Sequence, residues 1–172
     1  MFSKTDIEKY FVAEKQESLL FLAIGIIAIL LAIVFVFAVN SQFYKGASVS
    51  LLCVGLILGV VGYTVYTRSD NDRIKNVYAY DMNPGDLKEK ELPRMEKVMK
   101  SFVLYRYVEI FLAITGIVLF FYFRTSAEHE FWKGLGMALA IMAIIALGAD
   151  YFAEKRGHEY INGLRAFINK NN

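Results

Sequence analysis

The sequence predicts an all-α membrane protein: four transmembrane helices arranged as two tandem hairpins in a parallel repeat, with an N-terminal interfacial helix and a long third helix extending into the cytoplasm. Three observations lead there. Hydrophobic residues make up 56% of the 172 residues, and the charged 21% is segregated from them. Four runs are almost free of charge. Two similar turns, Phe43-Tyr-Lys-Gly and Phe131-Trp-Lys-Gly, recur at an offset of 88 residues, each at the head of an apolar run.

The runs are Leu19–Val39, Val49–Tyr66, Tyr107–Phe123 with Glu109 as its one acid, and Gly134–Ala149, closed by Asp150. A helix needs about 20 apolar residues to cross a hydrocarbon core of about 30 Å. The first run meets this alone; the others use their aromatic or amphipathic flanks. A soluble four-helix bundle would show a polar stripe on each helix, and Leu19–Val39 is apolar on every face. The same run exceeds the apolar region of a signal peptide and lacks a small-x-small site after it, so it reads as a retained helix. The lone cysteine, Cys53, lies inside the second run and permits no internal disulfide.

Charge sets the expected orientation. The segment before the first run carries Lys4, Lys9 and Lys15. The middle connection carries Arg68, Arg73, Lys75, Lys88, Lys90, Arg94, Lys97 and Lys100, and the tail carries Lys155, Arg156, Arg165 and Lys170. The other two connections hold only Lys45, Arg124 and Lys133. The positive-inside rule then places both termini and the middle connection in the cytoplasm and both Lys-Gly turns outside. The net charge of +2 conceals this asymmetry.

At the offset of 88, Phe43 meets Phe131, Lys45 meets Lys133, Gly46 meets Gly134, Tyr63 meets Tyr151 and Arg68 meets Arg156. Duplication explains the gapless spacing; convergence of interfacial aromatics and snorkelling lysines explains the residue types equally well. The expected organisation is a single membrane domain over 1–172. Repeat 1 covers about 17–68, a cytoplasmic connection about 69–100, repeat 2 about 101–156, and the tail 157–172.

Phe43–Gly46, Gly62–Arg68 with its G-x-T-V-Y-x-R pattern, the P-R-M-E-x-V-M stretch Pro93–Met99, and Phe131–Arg156 together span most of the chain. In these stretches it resembles a family of small bacterial four-span inner-membrane proteins with paired F-[YW]-K-G turns. That resemblance implies the architecture and brings no activity with it.

Outside the spans, Ser3 to Asp6 offers helix caps before Ile7, Tyr10 and Phe11, and predicts a short interfacial helix running into the first span. Arg68–Glu91 reads as polar and loop-rich, with a turn at Asn83-Pro84-Gly85-Asp86. Pro93 suits a first helical turn, and one helix is predicted from there to about Phe123. Its face of Met95, Val98, Met99 and Phe102 is suited to docking the N-terminal helix or a partner.

Inside the spans, Gly55, Gly59 and Gly62 share a side of the second helix, which suits close helix packing within the chain or between copies. Arg106, Glu109, Asp150, Tyr63 and Tyr66 fall near one depth, at the cytoplasmic ends of their spans. Charges there face inward and pair. The expected pairing is Arg106 with Asp150 or Glu109, with tyrosine hydroxyls adding hydrogen bonds. Such a layer serves either as a clasp fixing register or as an ion, proton or ligand site.

Asp150, Glu154 and His158 form an i, i+4, i+8 stripe, but a di-metal bundle site would want further inward acids and E-x-x-H motifs. No metal or cofactor is expected, and Glu154 to Arg156 reads as a solvated helix end. No G-x-S-x-G, H-E-x-x-H, Walker A or G-x-G-x-x-G pattern occurs. The expectation is a non-catalytic protein. Its partners are the lipid bilayer and either a membrane protein or further copies of itself, with no nucleic acid. An accessory or immunity-type role comes first, and a small oligomeric transporter or channel is the alternative.

Overall fold

The computed structural model describes residues 2–170. Four long helices carry the chain: α1 (Lys4–Phe37), α2 (Gln42–Met82), α3 (Leu92–Phe123) and α4 (Glu130–Lys170). No strand occurs among the described residues. All four helices are long and apolar enough to cross a membrane. In lipid a helix satisfies its own backbone donors and acceptors, so the apolar runs have little other choice.

α1 begins at a capping box. Ser3 donates from its backbone N–H and its hydroxyl to the Asp6 carboxylate, at 2.8 Å each. With no proline or glycine before Gly25, the N-terminal segment and the first span form one continuous helix.

The chain from Arg68 to Met82, which its polarity marks as loop, is the continuation of α2. No glycine or proline interrupts Tyr63–Met82. Side-chain pairs support the helix locally: Arg68 with Asp72, Asp70 with Arg73, and Asn76 Nδ2 donating to the Asp72 carbonyl at 2.9 Å. Ser69, Asn76 and Ala79 give it a buried side despite the low hydropathy. Asn83 ends the helix in a non-helical conformation, as the residue before a proline prefers. A short turn, Pro84–Asp86, leads into a π-helical turn, Leu87–Glu91, where the Leu92 N–H reaches back to the Leu87 carbonyl. α3 follows at Leu92, one residue before the proline expected to start it. The tail is helical too, through Lys170.

α2 and α4 are each 41 residues long, and α4 begins 88 residues after α2. α1 packs on α2, α3 packs on α4, and α2 packs on α4. Small residues sit at each crossing. Gly25 lies between Gly55 and Gly59, so a Cβ there would come within 2.7 Å of backbone in both. Gly62 meets the Ser18 carbonyl and Leu22 in the same way. Gly116 abuts Gly136 and Ala140. Gly46 lies against the Phe131 carbonyl and, reciprocally, Gly134 against the Phe43 carbonyl. Each Cβ that is absent lets two backbones approach, and the resulting dispersion contacts are what associate helices in lipid.

The largest buried cluster lies beyond the apolar runs. Ile7 and Phe11 of α1, Leu87, Met95 of α3, and Tyr160 and Leu164 of α4 converge with Ala79 of α2 at the end that holds both termini. The Met95 face thus docks on the chain's own N-terminal helix. Gly157 makes room for the Met99 sulfur, and Gly163 for the Phe2 ring. Nearer the turns the molecule is more open, and beyond its first turns α3 packs on no long helix but α4.

Gly46→Ala or Gly134→Ala should separate α2 from α4 at the turns and cost about 1–3 kcal/mol. The Cβ position of Gly148 faces open space, so Gly148→Ala should cost nothing. Thermal unfolding of the purified variants in one detergent checks the contrast.

Candidate functional site

α3 and α4 run antiparallel, which pairs their polar residues by depth. Arg106 and Glu154 form an ion pair at the outer level, one turn closer to the charged end of the molecule. Glu109 and Asp150 face each other carboxyl to carboxyl at the inner level. Between the helices lies a cavity of about 240 Å³, with Phe102, Ile110, Leu147 and Tyr151 as its apolar walls.

Arg106 therefore pairs with neither Asp150 nor Glu109, as the sequence suggests, but with Glu154. The geometry gives the reason. A long guanidinium side chain near a span end extends toward water, and on α4 the acid one turn waterward of Asp150 is Glu154. Reading Glu154 as a solvated helix end is likewise incorrect: it is 8% exposed. Its i+4 spacing from Asp150 was the available signal. His158 Nε2 stands 3.5 Å from the other Glu154 oxygen, continuing the stripe toward water.

Tyr63 and Tyr66 do not line this cleft. They belong to α2, which has no extensive packing with α3. Tyr63 is 60% exposed on the surface of α2. The Tyr66 ring lies beneath the Lys15 ammonium, which pairs with Asp70. Gly55 and Gly62 are occupied within the chain, against α1, and the Gly59 backbone lies beside Gly25 while its own Cβ position faces open space. Cys53 is exposed on the surface of α2.

At the turns, Phe43 and Gly46 meet Phe131, Lys133 and Gly134 through backbone and ring contacts, while the Lys45 backbone bonds within its own turn, to Ser41 and Ser48. Lys133 Nζ lies 5.8 Å from the Phe43 ring centroid, and Ser50 Oγ donates to the Leu135 carbonyl at 2.9 Å. Tyr44 packs on Phe35 and Trp132 on Phe123.

A second polar network, not foreseen from the sequence, lies in the core at the charged end. The Glu91 carboxylate accepts from Arg94 Nε and Nη2 at 2.8 Å each, and from Asn76 Nδ2 at 3.1 Å. Glu91 is 3% exposed, and the π-helical turn positions it. The Arg94 guanidinium stacks over Phe11 at 5.4 Å. Ser69 Oγ donates to Glu14 at 3.0 Å. Tyr10 and Tyr160 stack at 4.2 Å. Burial raises both phenols above the ordinary tyrosine range; the negative charge of Glu14 adds to this for Tyr10, and that of Glu91 for Tyr160. Further ion pairs tie the helices across this end: Lys4 with Asp81 at 2.5 Å, Glu17 with Arg156, and Arg165 with Glu96 at 2.8 Å.

Among the described residues, no three His, Cys, Asp or Glu side chains are arranged to hold a metal ion. The interactions among these side chains are ion pairing and hydrogen bonding, in one network within the apolar runs of α3 and α4 and their ends and one at the charged end.

Arg94→Ala should strand the buried Glu91 charge and destabilise the protein by about 3–5 kcal/mol, measured by denaturant unfolding in detergent. The tyrosines give a pH dependence with a definite sign. Their folded pKa values lie above the unfolded ones, so their contribution to stability is complete below about pH 10 and falls as pH rises further, where the unfolded chain ionises first. Tyr160→Phe should flatten that alkaline decline in an unfolding series.

Comparison with known proteins found no match: no family model, no curated protein and no solved structure corresponds to this chain.

Proposed function

We propose that this chain is a non-catalytic, multi-pass inner-membrane protein that binds another membrane component, as an accessory or immunity-type protein does. One observation carries the reading. In the apolar band α3 is held on one side only, by α4. It turns Tyr107, Phe111, Ile114, Val118 and Phe121 outward, each more than half exposed. A helix so placed is a ready docking face, with the packing surface of a binding protein.

The orientation and the repeat belong to the same proposal. The basic ends and the Arg68–Lys100 connection lie in the cytoplasm, under the positive-inside rule. The two hairpins are related as tandem copies. The equal lengths and 88-residue spacing of α2 and α4 support this. So do the reciprocal Gly46 and Gly134 contacts and the matched pairs Phe35–Tyr44 and Phe123–Trp132. Membership of the four-span family with paired F-[YW]-K-G turns is proposed on the same motifs.

The α3–α4 cleft favours a second reading, an oligomeric transporter or channel. Four helices enclose too little room for a pore, and the cleft is bounded toward the turns by the Gly116, Gly136 and Ala140 contact. Conduction would need several subunits side by side.

Photocrosslinking in native membranes tests the binding reading. A crosslinker at Phe111 or Val118 should capture a membrane protein, while one at Gly55, which faces α1, should not. Equal capture at both would remove the reading. For the orientation, a membrane-impermeant thiol reagent on intact cells of a Cys53→Ala background should label cysteines at Lys45 and Lys133 and spare one at Asp86.

A further inference from the structure

We propose that the α3–α4 cleft receives a basic side chain, lysine or arginine, carried within the membrane span of a partner helix. The inference rests on the binding reading above and names the chemistry of the partner.

The charges in the cleft do not balance. Glu154 and Arg106 satisfy each other. Glu109 and Asp150 stand together one turn deeper, within hydrogen-bond reach of each other and with no cation between them. The nearest guanidinium on the other side of α4, Arg156, is occupied by Glu17 of α1. The remaining acceptor is buried: Glu109 Oε2 has no hydrogen-bond partner and almost no contact with solvent.

The cavity has the shape of the missing group. Its volume of about 240 Å³ exceeds the roughly 30 Å³ that one water occupies in the liquid. Ile110 and Leu147 suit the methylene stem of a long side chain, and the carboxyl pair suits its charged tip. A free cation would gain the carboxylates but leave the apolar walls empty. A neutral apolar helix would cover the walls and leave the carboxyls unpaired, and an acidic one would be repelled. Because the apolar part of α3 has no long helix beside it but α4, a helix can lie along it and place such a side chain at this depth.

The test uses the full chain in phosphatidylcholine vesicles and fluorophore-labelled Leu/Ala membrane-spanning peptides. The peptides differ at one position, set about five residues inside the apolar run at the end matching the chain's charged end: Lys, Gln or Glu. Energy transfer should rank Lys above Gln above Glu, with Lys favoured over Gln by about tenfold or more. In the Glu109→Gln, Asp150→Asn double variant that preference should vanish while Gln-peptide association stays the same. Equal transfer from the Lys and Gln peptides on the native chain would overturn the inference, whatever the double variant does, and would also be the outcome if a shared proton filled the site. Equal but strong transfer leaves the docking reading standing without its charge preference. Absence of transfer from all three peptides, with no photocrosslink at Phe111 or Val118, would remove both.

Discussion

Ile7, Phe11, Leu87, Met95 and Leu164 bring four helices together at the one end of the molecule where water drives their association, and all five are at most 1% exposed. Removing such a side chain from water is worth about 1.5–3 kcal/mol. Inside the bilayer that force is absent, since lipid tails are as apolar as leucine. The helices there must meet through close contact or not at all. This division explains why the chain packs tightly beyond its apolar runs and loosely within them. It also explains why α1 and α3, both anchored in the common core, need not meet in the bilayer.

The crossings within the bilayer then fall where side chains are smallest. In the first hairpin the closest approach, at Gly25 with Gly55 and Gly59, lies about four turns from the start of α2. In the second, Gly116 meets Gly136 about two turns from the start of α4. The deeper crossing of the first hairpin leaves its charged half closed by Gly62 and Ser18. The shallower crossing of the second leaves its charged half free to separate, and there the α3–α4 cleft opens. The cleft is thus a consequence of where two glycines fall in the sequence.

Much of this was legible beforehand, for physical reasons. A span without charge on any face has one stable form in lipid, so the four helices could be read from composition. Pro93 located the start of α3 to within a residue, because a proline is tolerated only in the first turn. The depth of Arg106, Glu109 and Asp150 followed from counting residues. What could not be read was tertiary. Arg68–Met82 carries too little apolar surface to announce a helix, and only its contact with α1 and α4 gives Ser69, Asn76 and Ala79 a buried side. The Arg106 partner depended on the antiparallel register of α3 and α4, which no single-helix pattern reveals. Tyr63 and Tyr66 have the right depth but the wrong helix. Glu91 and Arg94 are three apart in a charge-rich stretch that reads as surface, and they are interior because the π-helical turn rotates Glu91 inward.

α3 is consequently attached at two levels with a weak region between them. Toward the turns it is fixed by backbone contact at Gly116, and at the charged end by Met95 in the common core. Between these, beyond the Met99 contact at Gly157, its hold on α4 is mainly polar: one ion pair and one carboxyl pair. Two carboxyls in contact contribute little cohesion, and each additional negative charge at that depth is costly. A cation arriving there would therefore strengthen the α3–α4 contact as it bound, because it would bridge two carboxyls that otherwise meet only each other. In the proposed complex, binding at this cleft and tightening of the second hairpin would be one event, whereas a partner that supplied only apolar surface would dock without drawing the carboxyls together.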